Sequence, residues 1–116
     1  MGSPVTWFEI NSDHPTKLHE FYAKAFGWKM QPVMGTNSAM VDTDSGAGIA
    51  GSIGEAQGVN QVTFYIEVDD PQSHLDRVES LGGKTTVPVT EIPDVVTFAQ
   101  FADPDGNVVG LFRSPV

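Results

Sequence analysis

The sequence predicts an α+β fold made of two four-stranded sheets, each with one helix over its outer face. Two observations predict it: a doubled local pattern, and an order of elements that does not alternate strand with helix. Thr6-Trp7-Phe8-Glu9-Ile10 resembles Phe64-Tyr65-Ile66-Glu67-Val68, with an aromatic second, an acid fourth and an aliphatic end. Trp7 and Tyr65 stand 58 positions apart, half of the 116 residues, and self-similarity at a fixed period is read before any motif.

Each run leads through an Asp into a Pro, the residue tolerated in a first helical turn. From Pro15, the apolar Leu18, Phe21, Tyr22, Ala25 and Phe26 recur at helical spacing, and Gly27 ends the helix. From Pro71, Leu75, Val78 and Leu81 mark a shorter helix that Gly82-Gly83 ends. Three strands are predicted after the first helix: Trp28 to Met34, Ser38 to Thr43, and a Gly-rich stretch to Ile53. Three more follow the second: Lys84 to Val89, Val95 to Phe101 and Asn107 to Phe112, the last two joined by the turn Asp103-Pro104-Asp105-Gly106. A doubly wound parallel sheet would need a helix after every strand, so it is excluded. One domain over 1–116 is expected, with a first repeat at about 4–54, a second at about 61–114 and a link at Gln57 to Gln61.

Period two then sorts side chains by face. If the helices cover Phe8 and Ile10 on one strand and Phe64, Ile66 and Val68 on the other, Trp7, Glu9, Tyr65 and Glu67 point to the opposite face. That face is expected to be concave and shared by both halves.

With 6 basic and 15 acidic side chains the formal charge is −9. This argues against nucleic acid or an anionic membrane as partner and favours a cationic ligand. The absence of cysteine excludes disulfide scaffolds, thiolate zinc sites and cysteine nucleophiles. No apolar run reaches the ~20 residues of a membrane span, and Met1 to Ile10 lacks a basic stretch followed by an apolar one, so a cytoplasmic location is expected. Gly46-Ala47-Gly48-Ile49-Ala50-Gly51 matches a dinucleotide-binding fingerprint, with Asp69 beyond it, but no helix follows. It is read as a strand whose small residues admit a close approach. No His is placed to pair with a serine nucleophile.

Phe21-Tyr22 followed by Phe26-Gly27-Trp28, the segment Gly46 to Gly54, Val68-Asp69-Asp70, Leu81-Gly82-Gly83-Lys84 and Asp103-Pro104-Asp105-Gly106-Asn107 resemble the vicinal oxygen chelate superfamily of glyoxalases, bleomycin-resistance proteins and extradiol dioxygenases. The resemblance covers essentially the whole chain. It implies paired βαβββ modules forming a curved eight-stranded mixed sheet or half-barrel, a ligand cavity on the concave side, and a homodimer. In catalytic members, His or Glu side chains from the strands hold a divalent metal. Carried onto this chain, those positions fall on Trp7 or Val5, near Ile49 to Ser52, on Thr63 or Tyr65, and on Gly110. Of these only Tyr65 could ligate. His14, His19 and His74 lie in or beside the helices and are expected at the surface. Glu9 and Glu67, with Tyr65, would suit a hard cation only weakly.

The expectation is therefore a metal-independent protein, with no cofactor, that sequesters a small molecule, cationic or amine-bearing. Trp7, Glu9, Tyr65, Glu67, Gln100 and Phe112 would line its cavity, the aromatics stacking and the acids attracting charge. Whether it is also an enzyme stays open. The rivals are a lyase, isomerase or dioxygenase with non-standard metal ligands, and a sensor or accessory subunit with a vestigial cavity.

Overall fold

A computed structural model describes residues 2–114. Ten elements run in chain order: β1 (Val5–Ser12), α1 (Pro15–Phe26), β2 (Lys29–Pro32), β3 (Ala39–Asp42), β4 (Ala50–Glu55), β5 (Gln61–Glu67), α2 (Pro71–Ser80), β6 (Lys84–Ile92), β7 (Val96–Ala102) and β8 (Val108–Arg113). This is the α+β fold of two βαβββ modules. The chain divides into two compact units, Trp7–Thr63 and the remainder of the described residues, in which the first few residues join those from Phe64 onward. No helix among the described residues is long and apolar enough to cross a membrane.

In the unit Trp7–Thr63, β1 runs parallel to β4, and β3 is antiparallel to both β4 and β2. Helix α1 starts with Pro15 at its first turn and stops at Gly27, whose φ of 74° suits a residue without Cβ. Under it lies a core of Ile10, Val41 and Ile53, extended by Phe8, Leu18, Tyr22, Trp28 and Met30. Trp28 stacks on Tyr22 at 5.1 Å with the rings nearly parallel, so it packs as a structural residue. Among the described methionines, Met30 joins the core and Met34 is 95% exposed.

In the second unit, β5 runs parallel to β8, and β7 is antiparallel to both β8 and β6. Asp70 caps α2 by accepting a hydrogen bond from the Ser73 N–H at 3.2 Å. The core is Val68, Leu75, Ala99 and Leu111, with Ile66, Val89 and Phe101 against it. Phe64 departs from expectation. It is 42% exposed and lies outside this core, because α2 packs mainly over β6, β7 and β8 rather than over the start of β5.

Two further differences concern strand limits. The Gly-rich stretch is a loop through Ile49, with Gly46 and Gly48 at φ 75° and 82°, and becomes strand only at Ala50. Strand β6 continues to Ile92, carrying Pro88 and two register shifts, as a strand at a sheet edge can.

Candidate functional site

The sheet face opposite α2 follows from register. Ala99 and Leu111 point to the helix, so Phe98, Gln100, Gly110 and Phe112 point away from it. Residues paired across strands share a face, which gives two rows. One runs Tyr65, Gly110, Gln100, Val87; the next runs Glu67, Phe112, Phe98, Thr90. Four of the expected cavity residues, Tyr65, Glu67, Gln100 and Phe112, are thereby neighbours on one face.

In the first row, a side chain at Gly110 would collide with the Tyr65 ring, which covers that glycine. Gln100 Nε2 donates to the Tyr65 hydroxyl oxygen at 2.8 Å, and the Phe112 ring meets the Tyr65 ring edge-on at 6.3 Å. Only 6% of Tyr65 is exposed. The expected stacking surface is instead a buried, pinned floor, and the half-buried Phe112 and Gln100 offer the accessible groups.

In the second row, Glu67 is half-buried. Its Oε1 accepts from the Thr6 hydroxyl at 3.3 Å, and its backbone N–H donates to the Pro4 carbonyl at 2.9 Å. Among the described residues the ion pairs are His14 with Asp13, Lys24 with Glu20 and Lys29 with Asp44, so Glu67 has no cationic partner there. Phe98 is a residue that sequence reasoning missed. Its signal was present: it lies two positions before Gln100 on the same strand, and so on the same face.

The unit Trp7–Thr63 carries a matching face. Phe8 and Ile10 go to the helix, leaving Trp7, Glu9 and Asn11 opposite. Trp7 pairs with Ala50 as Tyr65 pairs with Gly110. Glu9 continues through Ser52 and Met40 to Gln31. Trp7 and Glu9 are half-buried, and Asn11 Nδ2 donates to Glu9 Oε1 at 2.9 Å.

Among the described residues no group of three or more His, Cys, Asp or Glu could hold a metal ion. Ala50, Gly51 and Ser52 stand in the fourth strand, Thr63 and Tyr65 in the fifth, and Gly110 in the last. His14 is exposed. His19 and His74 are half-buried rather than fully at the surface, and bond through their rings to the carbonyls of Ile53 and Asp70.

Comparison with known proteins places this fold in a family. Residues 7–112 match the family model described as a glyoxalase-like domain. CFP32 of Mycobacterium tuberculosis, a protein named as a putative glyoxylase, is 29% identical over 121 residues, covering 97% of this chain and 46% of that protein. A glyoxylase-like domain-containing protein of Didymella fabae is 30% identical over 120 residues, covering 96% of this chain and 94% of that one. The chain thus spans about half the length of the mycobacterial relative and nearly all of the fungal one. Among solved structures, a glyoxalase/bleomycin resistance protein/dioxygenase superfamily member from Vibrio splendidus aligns with a TM-score of 0.69 at 15% identity, covering 97% of this chain and 100% of that chain. At that identity the likeness is one of fold.

Proposed function

This chain belongs to the glyoxalase-like domain family of the vicinal oxygen chelate superfamily, and on that premise we propose that it binds a small cationic molecule without a metal cofactor. The observation that carries this reading is the Tyr65 ring lying over Gly110. By the family resemblance, position 110 is where a metal-binding carboxylate would stand, and here the ring occupies the space its Cβ would need. The carboxylates that remain, Glu9 and Glu67, sit beside aromatic or polar neighbours on sheet faces and suit an organic cation better than a metal ion, which needs several oxygen ligands. The charge of −9 favours the same ligand class by long-range attraction. In this reading Trp7, Glu9, Tyr65, Glu67, Gln100 and Phe112 line the ligand's surroundings, and the protein acts as a cytoplasmic homodimer.

Native mass spectrometry before and after incubation with nickel, zinc, manganese, cobalt and iron(II) tests the metal half of the proposal. The expected result is no bound ion. One metal per chain at micromolar affinity or better would overturn it. A thermal-shift screen of cationic metabolites and drugs tests the other half, because a ligand at a hundred times its Kd adds about 2.7 kcal/mol of stability. For any hit, Glu9→Gln weakens binding, with a loss that shrinks at high salt. Unchanged affinity would remove Glu9 from the site.

A further inference from the structure

We propose that Glu67, Phe112 and Phe98 form a subsite for an alkylated ammonium group, the charged end of the ligand. The inference rests on the cation-binding reading above and names the chemistry of one part of it. The three residues occupy successive positions of one row across β5, β8 and β7, on strands about 4.8 Å apart. Phe112 is backed by the Tyr65 ring, which meets it at 71°. Among the described residues the ring contact of Phe112 is with Tyr65, and both Phe112 and Phe98 are half-buried, so each keeps part of its side chain accessible on this face.

The row's hydrogen-bonding capacity selects the cation. A primary ammonium carries three N–H donors, and each needs an acceptor once water is displaced. The row supplies few: its side-chain acceptors are the Glu67 carboxylate and the Thr90 hydroxyl oxygen, which stand at opposite ends of the row with the two phenylalanines between them. Phenyl rings provide none. An alkylated ammonium asks for no acceptors. Its diffuse charge is stabilised by ring faces within ~6 Å and by one counter-ion, and Glu67, with no lysine or arginine paired to it, is available in that role.

The probes are benzyltrimethylammonium and benzylammonium, titrated by calorimetry at equal ionic strength into the full chain. Benzyltrimethylammonium is expected to bind about fivefold more tightly, as one cation–aromatic contact would give. Phe98→Leu should abolish that preference, Phe98→Tyr should retain it, and Glu67→Gln should weaken the alkylated probe in a salt-dependent way. Melting temperatures of the three variants show that each is folded. Equal or tighter binding of benzylammonium, or indifference to Phe98→Leu in a folded variant, overturns the subsite. If neither probe binds while the broader screen finds another cation, the subsite is wrong and the cation-binding reading stands. If no cation binds at all, both fall.

Discussion

The two units use one plan with different side chains. In each, the first strand points an aromatic and an acid away from the helix, and its last strand runs parallel beside it. In the unit Trp7–Thr63 the acid's row continues Ser52, Met40, Gln31; in the other it continues Phe112, Phe98, Thr90. The glycines differ too. Gly51 makes room for the Phe8 ring on the helix side, in the core, whereas Gly110 makes room for Tyr65 on the opposite face. The duplicated scaffold preserves where an acid stands, while the neighbours that decide what the acid can hold have diverged. The aromatic face of the second unit is therefore the better candidate for an organic cation.

The equivalence of the two cores can be broken by truncation. Leu75 and Ile53 are 2% and 0% exposed, and replacing either by Ala is expected to cost roughly 2–5 kcal/mol in urea denaturation. A cost below about 1 kcal/mol for either would mean that its core is not packed as described. A smaller effect sharpens the contrast between the open faces. Gly110→Ala forces a methyl against the Tyr65 ring and is expected to cost about 1–3 kcal/mol and to shift the near-ultraviolet signal of Tyr65. At the matching position, Ala50→Gly is expected to cost less than ~1 kcal/mol.

The smallest effect separates the β3–β4 and β7–β8 connections. The latter is tied by the Asp103 carboxylate, which accepts from the Asn107 side chain at 2.9 Å and from the backbone N–H groups of Asn107 and Asp105. These bonds, the Asn107 side chain foremost, hold its pKa below the ordinary carboxylate value. A depressed folded value means the unfolded chain takes up the proton more readily. The stabilisation is thus complete above the ordinary carboxylate range near 4 and disappears as pH falls through the lower folded value. Amide exchange at Asn107 should report this loss, and Asp103→Ala should remove its pH dependence. A pH-independent signal in the unsubstituted chain would dismiss the role of the carboxylate.

Much of the architecture was legible because periodicity is local. The Pro15 and Pro71 starts, the stops at Gly27 and before Gly82, and the alternation in Thr6 to Ile10 and Phe64 to Val68 each depend on a few adjacent residues. The same alternation placed Glu9 and Glu67 on the faces away from the helices. What sequence could not supply was lateral. That Phe98 lies beside Phe112, that Tyr65 is sunk over Gly110 rather than open for stacking, and that Phe64 escapes α2 all depend on which residues pair across strands and on which strands a helix covers. Register couples residues tens of positions apart through backbone hydrogen bonds. The sequence by itself therefore determined the elements and their faces, and the tertiary structure alone decided the neighbours, because a strand's period is written along the chain and its partners are not.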